Sequence, residues 1–366
     1  MKIKNRNQDK MSDHFLQYPD EIEIHEYVDI SNMNTLGVTS VARYLIKIAE
    51  KKDLQKLFNS KRISESGIFI LGDGSNVLFA DFVELLLLKI EIKGFKILEE
   101  TEDQVLIRSG GGENWHNFVS WCVKNNFGGT ENLALIPGTT GAAPVQNIGA
   151  YGVELEEIFD HLEAFDLEKG EFRTFHKDEC DFAYRESIFK RELKNKFVIT
   201  HLALRLTKRK HRIVTGYYSL KNYLEQNNIT KPGISDIFNA VVKIRESKLP
   251  NPADIGNAGS FFKNPVLTLQ EFEKLYDRNP DMPFFDAGKN KVKVPAGWLI
   301  EKTGWKGKQI GNVGTYENQA LVIVNHGNAS GKEIYDFAMK IRTSVKNQFG
   351  IKLVPEVNIV GNFDAS

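Results

Sequence analysis

The sequence predicts a mixed α and β protein in which short strands and turns dominate over regular strand-helix-strand alternation. Three observations carry this expectation. Segments with the two-residue period of a strand recur early, two apolar runs flank the glycine turn Gly72-Asp73-Gly74-Ser75-Asn76, and an amphipathic helix with its own start and stop signals lies near the end. The chain has 366 residues, enough for two or three domains that each bury a core.

Residues 1–28 are polar, lack the apolar run of a signal peptide and read as a disordered extension. From Val41, VARYLIKIAE places Ala42, Tyr44, Ile46 and Ile48 on one face, as a strand does. Asp53 then caps a short helix through Leu54, Leu57 and Phe58. GIFILGDGSNVLFA reads as strand, glycine turn, strand, and QVLIRSGGG as a further strand ending in glycines. Trp115, Phe118, Val119, Cys122 and Val123 fall at helical spacing behind an Asn114 cap. FVITHLALRLT alternates Leu202, Leu204 and Leu206 before the basic run Lys208–Arg212, a solvated junction between domains. Helices follow Ser219 and Ser235, the second with Phe238, Val241, Val242 and Arg245 in register. Ser330 and Glu333 form a capping box for a helix with Ile334, Phe337, Ala338, Ile341 and Val345 as its apolar stripe; Gly350 ends it and the strand IKLVPEVNIV follows.

Composition narrows the function. Lys plus Arg and Asp plus Glu are both 48, so no bulk basic footprint points to nucleic acid. The most apolar run, FVELLLLKI, carries Glu84 and Lys89 and falls well short of the roughly 20 apolar residues of a membrane span. Cys122 and Cys180 form no CxxC pair, which argues against a disulfide framework or a zinc site and for a reducing cytosol.

IPGTTGAAPVQNIGAYG, residues 136–152, has no charged side chain and four glycines, a composition suited to close approach of a ligand to main chain. It lacks the lysine of a P-loop, and the first turn, running into an apolar strand, fails the dinucleotide fingerprint of a Rossmann fold. Two such turns can still form a lysine-free nest for a diphosphate. Either turn alone is equally a tight hairpin; both together, with Asn76, Gln146 and Asn147 as hydrogen-bonding groups, favour a cofactor. No HExxH or GxSxG occurs. Arg185, Ser260 and Glu356 each stand between apolar neighbours, and each taken singly is as much a structural group as a catalytic one.

Taken in order, NTLGV, ILGDGSNVLF, IPGTTGAAPVQNIGAYG, YRESIF, GSFFKNP, AGWLIE, NQALVIVN and PEV closely resemble the motifs of the UDP-N-acetylenolpyruvoylglucosamine reductase family, from about Asn34 to Gly361. The resemblance implies an α+β architecture: an FAD-binding fold of the vanillyl-alcohol oxidase (PCMH) type in two subdomains (29–212), a substrate-binding domain (213–349) and a C-terminal strand (350–366) returning toward the FAD domain. It also implies a cytoplasmic, monomeric enzyme of peptidoglycan precursor synthesis, holding FAD non-covalently, with NADPH and the UDP-N-acetylglucosamine enolpyruvyl ether as substrates and no metal.

By that resemblance the cofactor contacts fall on Asn34, Thr35, Gly72, Gly74, Ser75, Asn76, Val77, Pro137, Gly138, Thr139, Gly141, Ala142, Asn147, Gly149, Ala150 and Tyr151. Arg185 matches the cation that stabilises charge on the substrate carboxylate, Glu356 its carboxylate partner and Ser260 the proton donor. Tyr217, Lys248, Asn264 and Gln319 match substrate-binding positions, Tyr217 pointing to the subtype in which a tyrosine-bearing loop closes over the nucleotide. Asp73, where the family more often has glycine, is expected to face solvent, since a carboxylate repels a diphosphate. An oxidase on the same fold and a non-enzymatic flavin or sugar-nucleotide binder are the competing readings. The first often tethers its flavin through His or Cys, which the glycine loops lack, and the second needs no Arg185, Ser260 and Glu356 together.

Overall fold

The computed structural model describes residues 22–60 and 67–363. Strands β1 (His25–Asp29), β2 (Val41–Ile48), β3 (Ile68–Leu71), β4 (Val77–Phe79) and β5 (Phe82–Ile90), with helix α1 (Lys51–Asn59), make the first layer. Its sheet runs in the order β1-β2-β5-β3, with β2, β5 and β3 parallel to one another and β1 antiparallel at the edge. Because β2 is an interior strand, both of its faces are covered: Leu45 packs into one core and Ile46 into another, where alternation alone predicts a single buried face.

The helix α1 starts one turn earlier than its Asp53 signal suggests. Glu50 is the N-cap, and the Asp53 carboxylate reaches back to accept from the backbone N–H of Glu50 at 2.8 Å and of Ala49 at 3.0 Å. The extension also proves shorter than expected. Residues 1–21 lie outside the described residues, but Ile22 is buried and His25–Asp29 pairs with β2, so 22–28 belong to the fold. Nor do β3 and β4 form a hairpin across their glycine turn. β3 joins the first sheet, whereas β4 pairs in parallel with β20 (Asn358–Val360) near the end of the chain.

Strands β6 (Phe95–Glu100), β7 (Gln104–Gly110), β10 (Phe159–Asp166), β11 (Phe172–His176) and β12 (Phe197–Thr207) form a second, fully antiparallel sheet in the order β11-β10-β12-β7-β6; the two-residue strands β8 (Gly149–Ala150) and β9 (Val153–Glu154) pair beside it. Helix α2 (Trp115–Lys124) covers this sheet, capped as its sequence predicts by Asn114, whose side chain accepts from the Asn117 N–H at 3.0 Å. Helices α3 (Tyr218–Gln226) and α4 (Ile234–Lys248), which the sequence reading places with the substrate domain, contribute Leu220, Leu224, Ile237, Val241 and Ile244 to this same core.

The remaining unit holds the sheet β13-β19-β18-β17, from β13 (Gly256–Ser260), β17 (Gln309–Ile310), β18 (Val313–Tyr316) and β19 (Gln319–Asn325). A small sheet of β14 (Val266–Thr268), β15 (Phe285–Asp286) and β16 (Lys291–Lys293) joins it, with α5 (Leu269–Tyr276), α6 (Ala296–Lys302) and α7 (Gly331–Phe349). The α7 stripe Ile334, Phe337, Ala338, Ile341 and Val345 is buried as its spacing predicts, sharing a core with Phe79, Val83 and Leu87 of the first layer. Gly350, at φ +73°, closes the helix in the left-handed conformation. The strand expected over 351–360 is confined to β20; Pro355 lacks an N–H and makes only an isolated bridge to Phe262.

Gly331, the first residue of α7, lies against β4: a Cβ there would sit 2.0 Å from the Phe79 carbonyl oxygen. Gly331→Ala should therefore destabilise the protein by about 2 kcal/mol or more despite the roughly 1 kcal/mol that alanine gains in helix propensity. Urea unfolding of the two proteins checks this, and an alanine variant as stable as the parent would contradict the contact.

Candidate active site

A cavity of about 1120 Å³ opens where the three units meet. Its floor is main chain. The turn at Gly72–Asn76 and the turn at Gly138–Thr139 lie against each other: a Cβ on Gly72 would meet Thr139 Oγ1 at 2.8 Å, and one on Gly138 would meet Ser75 Oγ at 3.1 Å. Gly74, at φ +67°, is more constrained still, since a Cβ there would fall 1.9 Å from the Met33 carbonyl oxygen. Much of the glycine therefore serves contact between loops. What the packing leaves over points to a ligand. Among the described residues no hydrogen bond uses the backbone N–H of Gly74, Ser75, Asn76, Gly138 or Thr139, five donors on two touching turns. A lysine-free array of this kind suits the diphosphate of a dinucleotide.

Of the residues named from sequence, Gly72, Gly74, Ser75, Asn76, Val77, Pro137, Gly138, Thr139, Gly141, Ala142 and Gly149 line this cavity together with Arg185, Ser260 and Glu356. Others do not. Asn34 spends its amide inside the 31–38 loop, donating to the Ser31 and Val38 carbonyls at 3.0 and 3.1 Å and accepting from the Val38 N–H at 3.1 Å. Thr35 stitches main chain, donating to the Gly74 carbonyl and accepting from the Asn257 N–H. Asn147 is buried at φ +41°, its amide donating to Glu154 at 2.9 Å and its oxygen accepting from the Glu156 N–H at 3.1 Å. Ala150 and Tyr151 sit at the β8–β9 turn, just behind the wall. Tyr217, the N-cap of α3, is half exposed and meets Tyr151 edge-on with centroids 5.2 Å apart, whereas Tyr218 is exposed. Lys248 is exposed at the end of α4. The Asn264 oxygen accepts from the Ala296 N–H at 2.9 Å and the Gln319 oxygen from the Leu321 N–H at 3.3 Å.

Asp73 does not face solvent. Half-buried on the cavity wall, its carboxylate accepts from the amide of Asn114, the α2 cap, at 3.2 Å.

Three segments converge on the catalytic candidates. Arg185 has φ +55°, a conformation that costs a non-glycine residue about 1 kcal/mol and persists only when its surroundings enforce it. Its Nη2 donates to the Gly149 carbonyl at 2.8 Å and its Nε lies 3.8 Å from Glu356 Oε1, while Lys190 Nζ donates to the Arg185 carbonyl at 3.1 Å. Burial lowers the Lys190 pKa, with Lys263 and Arg185 adding to the fall and Glu356 and Glu186 opposing it. Glu356 is held through its backbone N–H, which donates to the Phe261 carbonyl at 2.8 Å, and its carbonyl accepts from the Asn76 amide at 3.3 Å. Glu186, next to Arg185, pairs at 2.8 Å with Lys263, three residues beyond Ser260. Glu356 thus reaches Arg185 directly, while Lys263, on the segment that follows Ser260, is tied to the residue next to Arg185.

Sequence reasoning missed Arg245, His116, Tyr316 and Lys190, which also line the cavity. Arg245 carried the clearest signal: it is a charge in register with Phe238, Val241 and Val242 on a helix face. Cys122 and Cys180 are both buried free thiols. No helix of the described residues is long and apolar enough to cross a membrane.

The fold and the nest define a flavin-binding oxidoreductase, and comparison with known proteins agrees. Residues 42–175 match the model of an FAD binding domain, and residues 251–360 match that of the UDP-N-acetylenolpyruvoylglucosamine reductase C-terminal domain. The chain is 45% identical over 339 residues to the UDP-N-acetylenolpyruvoylglucosamine reductase of Flavobacterium johnsoniae, covering 93% of this chain and 100% of that one. To the enzyme of the same name from Pseudomonas aeruginosa it is 40% identical over 338 residues, covering 92% and 99%. The crystal structure of UDP-N-acetylenolpyruvylglucosamine reductase from Thermus caldophilus superposes with a TM-score of 0.65 at 21% identity, over 93% of this chain and 99% of that one, and shares the fold. The chain belongs to the UDP-N-acetylenolpyruvoylglucosamine reductase family, and FAD is its cofactor.

The Glu186–Lys263 tie is testable by pH. Burial alone would raise the Glu186 carboxyl, but the hydrogen bond and charge of Lys263 more than offset it and its pKa falls below the usual value. The pair's contribution is therefore present above the unfolded value near about 4.3 and is lost as pH falls through the lower folded value. A double-mutant cycle with Glu186→Gln and Lys263→Met should give about 0.5–1 kcal/mol of coupling at pH 7 and less at pH 3. Equal coupling at both pH values would show that the tie is not ionic.

Proposed function

We infer that this chain reduces the enolpyruvyl ether of UDP-N-acetylglucosamine to the lactyl ether, giving UDP-N-acetylmuramate for peptidoglycan precursor synthesis, with NADPH as the electron source. The observation that carries the reading is the gathering of Arg185, Glu356 and Ser260 on one cavity whose floor is the N–H nest. Bound FAD supplies the two-electron carrier between NADPH and the vinyl carbon. The N–H groups of Gly74–Asn76 and Gly138–Thr139 would hold its diphosphate.

The chain's own groups account for the rest. Reduction of the double bond adds hydride to the terminal carbon and a proton to the carbon that bears the carboxylate, and in between negative charge collects on that carboxylate. Arg185 is the preorganised cation for this charge, fixed by the Gly149 carbonyl so that it need not reorganise as the charge develops. Glu356, 3.8 Å from the guanidinium Nε, limits the net charge of the site and keeps the cation in place. Ser260 donates the proton from β13, beside Gly259 at φ +67°, a backbone geometry that re-aims the strand end at the cavity.

The UDP moiety goes to Tyr217 and Lys248, both exposed beyond the wall. The edge contact of Tyr217 with Tyr151 supports the tyrosine-loop subtype, with the start of α3 closing over the nucleotide. Asn264 and Gln319 engage backbone N–H groups with their oxygens and keep their NH2 donors for the ligand. The enzyme acts as a monomer in the cytosol; the two buried free thiols support the reducing compartment.

Ser260→Ala separates the half-reactions. NADPH should bleach the bound flavin at a rate within about twofold of the parent, while reoxidation by the enolpyruvyl substrate should slow by roughly 10²- to 10⁴-fold. Anaerobic stopped-flow absorbance at the flavin band measures both, and equal slowing of the two would remove Ser260 from the proton-transfer role.

A further inference from the structure

Among the described residues Arg245 has no carboxylate within ion-pair distance. It enters the cavity from the last turns of α4, its Nε is sealed from solvent, and no hydrogen-bond partner for that atom occurs among the described residues. Glu246 and Asp254 also line the cavity, yet no carboxylate of the described residues lies within ion-pair distance of Arg245. The phenol of Tyr151 is a polar neighbour, toward which the guanidinium donates, and the charge of Arg185 opposes its own. Arg245 is half-buried, and a partly desolvated charge without a partner is costly. Arg185 has Glu356 and the Gly149 carbonyl to offset its own, whereas Arg245 has a neutral phenol and open cavity.

A second donor stands in the same cavity. His116 Nδ1 accepts from the Leu135 N–H at 3.1 Å, so the ring proton is on Nε2, and its plane is fixed by parallel stacking on Phe238, centroids 5.5 Å apart at 5°. Burial first and then the charge of Arg245 lower its pKa, with the carboxylate of Glu246 opposing them. The cavity therefore has, beside the main-chain floor, a guanidinium and an imidazole N–H on one stretch of its wall.

We propose that Arg245, assisted by the Nε2–H of His116, is a second anion-recognising group of the cavity, separate from the Arg185–Glu356 pair, and that it engages an oxygen edge carrying full or developing negative charge. Two components of the reaction offer that chemistry: the oxygen-bearing pyrimidine ring of the flavin, which gains electron density when hydride arrives, and the diphosphate of the UDP-sugar. The inference rests on the functional reading above in naming these two sources. Tyr151 is then a positioning residue, because its phenol faces the guanidinium on one side and its ring meets exposed Tyr217 on the other.

The test uses the holoenzyme with Arg245→Met and Arg245→Lys. Three quantities are measured on each: the flavin midpoint potential, release of FAD on dilution, and the dissociation constant of UDP by titration. A flavin source predicts for Arg245→Met at least a tenfold shift of the redox equilibrium toward the oxidised form, about 30 mV for a two-electron couple, or tenfold weaker retention of FAD, with UDP affinity kept. A diphosphate source predicts at least tenfold weaker UDP binding with the potential unchanged. Arg245→Lys, which keeps the charge but not the fork, should fall between parent and methionine, and it carries the test if the methionine variant does not fold. If all three quantities stay within twofold of the parent in the folded variants, the proposal is overturned and Arg245 is a structural cation. Failure of the parent enzyme to turn over the enolpyruvyl ether would instead sink the functional reading, an outcome the Arg245 measurements do not mimic.

Discussion

The site depends on a three-residue parallel pair. β20 lies along β4, Asn358 opposite Val77 and Val360 opposite Phe79, and this brings Glu356 from the far end of the sequence to the edge of the glycine turn. The pair alone is too short to be stable in water. It is held because Phe79 is fully buried beneath α7 and because the Asn358 N–H donates to the Asn76 carbonyl at 3.1 Å. Without this return Arg185 would keep its backbone tie to Gly149 but face the cavity with no carboxylate near, and the two guanidinium groups of the cavity would stand there together uncompensated.

The same logic explains how three units build one cavity. Each contributes what its architecture does well: tight turns after parallel strands make the floor, the loop between β11 and β12 carries Arg185 in a strained backbone, and β13 ends at Ser260. Ties across the units include main-chain hydrogen bonds, such as Glu356 N–H to Phe261 and Asn257 N–H to Thr35, beside the ion pairs Lys263–Glu186, Arg185–Glu356 and Lys51–Glu163. Main-chain ties fix position without adding charge to a cavity that must admit an anionic cofactor and an anionic substrate.

Local signals in the sequence were legible where the cause is local. The Ser330 and Glu333 box, the Asn114 cap, the Gly350 stop and the two apolar runs around Gly72–Asn76 each depend on neighbours within a few residues, and each is found as read. What escaped has non-local causes. The partner of β4 is about 280 residues away, a pairing no turn signal specifies. Residues 22–28 read as tail because an edge strand with polar neighbours shows its role only beside β2. The motif match brought out the two glycine turns and the three catalytic candidates of the cavity lining; it also named Asn34 and Asn147, whose side-chain hydrogen bonds serve the loops that shape the wall, and Thr35, whose backbone does the same. Arg245 was read as one more helix position, since only the packed structure shows that its face of α4 borders a cavity.

A floor made of peptide groups has a consequence for how this protein can change. Side-chain identity in the two turns does not set the strength of the N–H donors, and a Cβ at Gly74 or Gly72 collides with the neighbouring loop before it reaches a ligand. Affinity for the cofactor therefore cannot be graded by substitutions in the floor, which either leave the array intact or displace a whole turn. Gradual adaptation, whether to a different redox demand or to an inhibitor lodged in the cavity, is channelled into the walls, where side chains such as Tyr316, His116 and Gln146 can be exchanged one at a time.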